Sequence, residues 1–186
     1  MTYAENILSC FESGTTNEIT EGMHWYDETH NFALSLSPDN VWRGAGVIAA
    51  MSANQKWEVT YRNTIRAFES GTAIGHTPSL HTREMCGQAE RIMRGEHPLD
   101  VMGGQKVRAF ASAIADPAGS DIATIDRHAH DIAMGRVFSD KERKIGRVLF
   151  RTMSNHYREA AFEVGISVAQ IQAVTWVIWR NRKGVK

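Results

Sequence analysis

Apolar residues recur along the chain at three- and four-residue intervals, and strand-like alternation is almost absent, so the pattern predicts an all-α protein. Helices are predicted over Tyr3–Glu12, Asn17–Leu36, Asn40–Ser52, Lys56–Glu69 and Thr82–Arg94, and again over Gln105–Ala115, Asp126–Arg136, Lys141–Val164 and Val168–Arg182. Stop signals agree with these spans: Pro38 precedes one helix, Gly71 and Gly165 follow others, and Asp116-Pro117 ends another. The longest irregular stretch runs from Gly71 to Ser79, and a second break from Pro98 to Gly104. Breaks this short suggest no linker, so the expectation is a single all-α domain over residues 1–186. In the last helix Ile171, Val174, Trp176, Ile178 and Trp179 spread over much of the surface, which predicts a core element up to Arg180, with Ser167 and Gln170 forming a capping box at its start.

Composition narrows the class. A chain of 186 residues can bury one sizeable core, and 42% hydrophobic with 23% charged residues is ordinary for a globular protein. No apolar run approaches the roughly 18 residues that span a bilayer, and the N-terminus carries no basic segment of the signal-peptide kind. A cytoplasmic protein without membrane association is expected. Cys10 and Cys86 are too few for an all-cysteine cluster or a disulfide framework, and are expected to be reduced, buried thiols. The formal net charge is zero, but it hides a gradient: residues 1–40 hold seven acidic residues and no Lys or Arg, whereas residues 141–186 hold ten basic residues against three acidic ones. The basic end is either a solvated helix face or a surface that meets an anion.

Three stretches could carry chemistry. In "DVMGGQKVRAFASAIADP" the pair Gly103-Gly104 opens a helix whose first N–H groups are unpaired, an arrangement suited to a phosphate, with Gln105, Lys106 and Arg108 in its first turn. A Gly-Gly turn before a helix is also structurally ordinary. In "ATIDRHAHDIAMGR" Asp126 stands where an N-cap would, followed by Arg127, His128 and His130 on a polar face; the helix dipole favours an ionised carboxylate there, which suits a catalytic group as well as a cap. In "GVIAAMSANQKWEVTYRNTIRAF" an apolar helix stops at the turn Ser52-Ala53-Asn54-Gln55, whose amides could hydrogen-bond bases or backbone, and a helix with Arg62 and Arg66 follows.

In order and spacing, these three segments resemble the helix-hairpin-helix DNA glycosylase superfamily, the endonuclease III-like fold. "GVIAAMSANQKWEVTYRNT" matches its "LIAxxLSAQ" helix, "MGGQKVRAF" its "GxGxK" hairpin, and "IDRHAHDIAMGRV" its "hDxHhxRhxxRh" segment. The twenty positions from Lys106 to Asp126 are similar to the family's interval, and the resemblance covers about residues 41–137. Departures exist: Met102 replaces the first hairpin glycine, "PLDV" precedes the hairpin, and the cluster cysteines are missing. The stretch looks closer to divergent phage-type members proposed to act on hypermodified thymine by displacing a pyrophosphate, which would put the protein in a host cytoplasm.

The resemblance implies a multi-helix glycosylase-like fold, DNA as partner, and no cofactor or metal. It implies that Gly103, Gly104, Gln105, Asn54, Gln55, Arg108, Arg127 and His128 contact DNA. Asp126 would stabilise positive charge on the sugar or activate an attacking group, and Lys106 could attack the sugar carbon to form a Schiff base. The base must leave the stack, because its reactive atom is unreachable within a duplex. N-glycosidic cleavage and substitution at the base both remain open. Two alternatives stand beside this reading. One is a non-catalytic DNA-binding module that keeps the hairpin. The other is a metal-dependent phosphohydrolase that takes His128 and Asp131, three positions apart on one helix face, as ligands, with His76, His81 and His97 in no clear register to complete the set.

Overall fold

The computed structural model describes residues 1–53, 55–75 and 82–183. Among the described residues the chain forms ten helices and no strand: α1 (Tyr3–Glu12), α2 (Thr16–Leu36), α3 (Val41–Met51), α4 (Trp57–Ser70), α5 (Thr82–Met93), α6 (Pro98–Val101), α7 (Gln105–Ala115), α8 (Arg127–Ala133), α9 (Arg147–Val164) and α10 (Val168–Lys183). No single helix among them is long and apolar enough to cross a membrane.

These helices build two compact units, a terminal unit of Met1–Glu28 with Asp116–Lys186 and an inserted unit of Thr29–Ala115. Neither crossing stands out in the sequence as a domain boundary: one falls inside α2, and the other at Asp116-Pro117 reads as an ordinary helix stop.

The inserted unit is organised around α3. Gly44 through Met51 are buried without interruption, and the helix packs against α4, α5, α6 and α7. Its small residues permit this crowding. A Cβ at Gly44 would collide with the backbone of Ala33, and one at Gly46 would meet Pro98 Cβ at 2.8 Å. Val47, Met51, Ile92, Met102 and several alanines form the core, with Phe68, Met93, Val107 and Phe110 packed around it. The predicted break at Pro98–Gly104 contains the short helix α6, started by Pro98 at its first position and by His97, whose Nδ1 accepts from Leu99 N–H.

In the terminal unit α1 packs on α8, α9 and α10, and α10 also packs on α8 and α9. Ile7, Ile132, Met153, Tyr157, Ile171 and Ile178 are fully buried there. Gly22 lets α2 approach α10 closely: a Cβ at that position would lie 2.7 Å from Val174 N and nearer still to its Cα. The expected capping box of α10 is present, with Ser167 N–H donating to Gln170 Oε1 (2.9 Å) and Gln170 N–H to Ser167 Oγ (3.1 Å). The helix is buried through Ile178 except for the half-buried Gln170 and Trp176, and the Arg180 guanidinium lies 4.5 Å from the Trp176 ring centroid.

Two helices are shorter than the spacing predicts by three residues or more. α8 ends at Ala133 instead of Arg136 because Gly135 takes a left-handed conformation (φ 70°) and Asn6 Nδ2 donates to the terminal Ala133 carbonyl at 2.7 Å. α9 begins at Arg147 instead of Lys141 because side chains of the preceding segment are engaged elsewhere: Glu142 accepts from Ser139 N–H, and Arg143 reaches across to Asp131 on α8.

Candidate functional site

The best-defined polar site in the terminal unit surrounds α8. The segment leading into it is fixed from below. Ala123 N–H donates to Ser154 Oγ (3.0 Å), and the buried Tyr26 hydroxyl donates to Gln172 Oε1 (2.8 Å) while lying 3.2 Å from the Thr124 hydroxyl. Burial pushes the Tyr26 phenol well above its usual range, so it serves as a neutral bridge. The chain is extended at Asp126 (φ −94°, ψ −172°) and turns into the helix at Arg127.

Asp126 is the N-cap. Its Oδ1 accepts both His128 N–H (2.9 Å) and Ala129 N–H (2.8 Å), while Oδ2 meets no donor among the described residues. The residue is half-buried, with one oxygen spent on the helix and the other without a donor among the described residues.

The next two residues line a cavity of about 280 Å³, together with Asp131, Val137, Phe138, Ser139, Asp140, Arg143 and Trp179. Arg127 is exposed, and its Nε donates to His128 Nε2 at 3.3 Å. A guanidinium only donates, so Nε2 must accept, which places the imidazole proton on Nδ1. Burial lowers the His128 pKa, outweighing the Asp126 charge that would raise it, so the ring is neutral near pH 7.

Beneath the cavity Asp131 and Arg143 form a buried pair, with Asp131 exposing 3% of its side chain and Arg143 12%. Arg143 Nε meets Oδ1 at 2.9 Å and Nη2 meets Oδ2 at 2.8 Å, a bidentate geometry. His130 Nδ1 (3.0 Å) and Phe138 N–H (3.2 Å) complete four donors on one carboxylate, and Arg143 also pairs with the exposed Asp140. Burial alone would raise the Asp131 pKa; the Arg143, His130 and Phe138 hydrogen bonds override it and hold the carboxyl below its usual range. This pair ties segment 137–143 to α8 and so forms one wall of the cavity. No spacing rule picks out a contact between residues twelve apart on different segments, and the sequence shows the pair only as two ordinary charges. The polar face read into "RHAHDIA" is corrected in the same way: His130 and Asp131 are each 2% exposed, with His130 edge-on to Phe138, so neither is a surface contact.

The remaining candidates lie in the inserted unit. Gly103 and Gly104 are exposed, neither adopts a left-handed φ, an added Cβ on Gly103 would meet nothing within 4 Å, and one on Gly104 would only touch Val107 at 3.4 Å. Nothing among the described residues therefore requires glycine at either position. Gln105 is half-buried, and Lys106 and Arg108 are exposed at the start of α7, with Arg108 Nη1 near the Met102 carbonyl at 3.4 Å. Met102 has ordinary extended dihedrals (φ −81°, ψ 123°) and its side chain, 1% exposed, fills the core. That explains the departure from a hairpin glycine: the backbone does not need one, and the core gains a side chain. Gln55 is half-buried and closes the turn after α3 by donating N–H to the Ser52 carbonyl (3.2 Å). Asn54 lies outside the described residues, as do His76 and His81. Asp126, Arg127 and His128 are thus gathered in the terminal unit, while Lys106, the glycine pair, Gln105, Arg108 and Gln55 belong to the inserted unit.

Among the described residues no three His, Cys, Asp or Glu side chains come together as a metal site. Cys10 is a free thiol that burial pushes up to about 11, although the Arg182 charge opposes the shift, and Cys86 is free and buried. No curated protein and no solved structure matches the chain. One family model does match, over residues 1–183, and the chain belongs to that family, described as a family of unknown function (DUF7178).

Proposed function

We propose that the protein is a DNA base-processing enzyme of the helix-hairpin-helix glycosylase type, acting on a base turned out of the stack by cleaving its N-glycosidic bond or by substitution at the base. The observation that carries this reading is the division of labour in Asp126. One carboxylate oxygen caps α8, the other is open, and the next two residues line a cavity with a guanidinium, a neutral imidazole and aromatic rings. Asp126 does not itself line that cavity; it directly precedes the two residues that do, so a base held there would lie next to its carboxylate. In cleavage, Oδ2 takes the proton of an attacking water while the water oxygen bonds to the sugar carbon and the C–N bond electrons leave with the base. The same charge stabilises the positive sugar during bond loosening. A volume of about 280 Å³ accommodates a single heterocycle with ordered water, and His128 Nδ1–H and Arg127 are donors for its acceptor edge.

The inserted unit supports DNA as the substrate through a second feature. Two exposed glycines without an internal reason precede α7, and Lys106 and Arg108 follow, a combination that admits a phosphate to the backbone N–H groups. Lys106 is solvent-exposed in the free chain, so a Schiff-base role would require the substrate to cover it. The phosphohydrolase reading is disfavoured by Asp131, whose two oxygens are both occupied by Arg143 and further donors.

The test is incubation with single-stranded and duplex DNA carrying varied modified bases, followed by nucleoside mass analysis. A released or altered base is expected. DNA binding without any change in the nucleosides would select the binding-only module instead.

A further inference from the structure

The outer face of α9 has no part in the site above. Arg147, Arg151, Asn155, Arg158 and Phe162 follow one another at three- and four-residue intervals, all exposed, along a single ridge of the helix. The opposite side, with Phe150, Met153, Tyr157, Ala160 and Ala161, is buried in the terminal unit. Lys144, just ahead of the helix, adds another exposed cation. Arg158 is occupied with the Asp121 carbonyl and carboxylate, but Lys144, Arg147 and Arg151 have no carboxylate partner among the described residues. Helix stability does not explain them. The first turn of α9 has no acidic residue and Gly146 supplies no side-chain cap, so Arg147, and Lys144 just ahead of it, oppose the helix dipole. Phe162 is 90% exposed, the most exposed large hydrophobic side chain described.

We infer that this ridge binds a nucleic-acid strand with unpaired bases, its phosphates meeting Lys144, Arg147 and Arg151 and a base stacking on Phe162. Charge complementarity favours a polyanion. The i, i+4 rise between Arg147 and Arg151 is about 6 Å, comparable to the step along an extended strand, and Phe162 stands about 22 Å beyond Arg147. An acidic protein would satisfy the cations but gives an isolated aromatic no role, whereas cations with an exposed ring are the combination that holds single strands. The inference rests on the proposed function only in taking DNA as the ligand; it uses neither Asp126 nor the cavity.

The full chain is titrated with a fluorescent twenty-residue oligothymidylate over a range of salt, with poly-glutamate as competitor. Binding should weaken steeply with salt. Arg147→Gln with Arg151→Gln should lower the slope of log affinity against log salt by roughly 1.4 to 2, following the counterions released by two fewer phosphate contacts. Phe162→Ala should weaken binding about 5- to 100-fold with the slope unchanged, as loss of one stacked base does. Neither set touches a buried group, and unchanged circular dichroism checks the fold. Variants that bind like the parent overturn the ridge while leaving the proposed function standing. Poly-glutamate competing as well as unlabelled oligothymidylate assigns the face to an acidic partner and overturns it too. If the parent chain binds no oligonucleotide at low salt, the ridge and the DNA reading fall together, whereas binding by Asp126→Asn without turnover separates the two.

Discussion

Replacing Asp131 by Asn tests whether the buried pair holds the site's wall. The carboxylate faces four donors: Arg143 Nε and Nη2, His130 Nδ1 and Phe138 N–H. An amide of the same shape keeps one oxygen and turns an NH₂ toward donors, so at least one contact with Arg143 becomes donor against donor. Arg143, 12% exposed, also loses its charge partner, although the exposed Asp140 remains. Removing one member of a buried pair costs about 3–5 kcal/mol, and the Asp140 contact places this case near the lower end, about 3 kcal/mol. For a chain of this length that corresponds to roughly 6–12 °C in Tm. The assay is thermal and urea unfolding followed by circular dichroism, run across pH. Because the folded-state pKa of Asp131 is depressed, its contribution is complete above the ordinary carboxylate pKa of about 4 and disappears as pH falls through the lower folded value. The parent should therefore lose more stability than Asp131→Asn between pH 5 and pH 2. A loss below about 1 kcal/mol at pH 7, or identical acid sensitivity of the two chains, would refute the assignment.

Three further outcomes follow from the geometry. Gly22→Ala should destabilise by about 2 kcal/mol or more, since its Cβ meets Val174 backbone, whereas Gly103→Ala should leave stability within about 1 kcal/mol and weaken DNA binding; urea unfolding of both decides it. His128 should titrate below free histidine, with the proton of the neutral ring on Nδ1, which nitrogen-detected NMR reads directly; a midpoint above that of free histidine would contradict the burial argument. Cys10, with its thiol pushed up to about 11, should resist iodoacetamide at pH 8 in the folded chain and react on unfolding. Rapid labelling of the native protein would show that the packing of α1 on α10 does not shield it.

Periodicity made most of the fold legible. Tyr3–Glu12 and Gln105–Ala115 match their predicted spans, and the other long helices differ by a residue or two at their ends, because caps and left-handed glycines are written locally. The larger errors are at 134–146, where Arg143 leaves a helical pattern to reach Asp131, a long-range tertiary bond that no local spacing encodes. Asp126 was recognisable as a cap from its position before "RHAHDIA", and it is one. That only one of its oxygens does the capping was not legible, nor was the burial of His130, since both depend on how α8 packs in the terminal unit. Met102 shows the converse: a departure from a motif became intelligible once its side chain was found in the core.

In the proposed enzyme the open oxygen of Asp126 performs chemistry while the other holds the helix. Asp126→Asn separates these roles, because Asn caps about as well as Asp and keeps an oxygen for the two amides, so unfolding free energy should change by less than about 1 kcal/mol. Nucleoside mass spectra of modified DNA treated with the parent chain and with Asp126→Asn, compared at equal binding, are the direct measurement. Base release or alteration by the parent and a loss of at least about 100-fold in the variant are expected. Equal turnover by the two folded chains would contradict that role for Asp126.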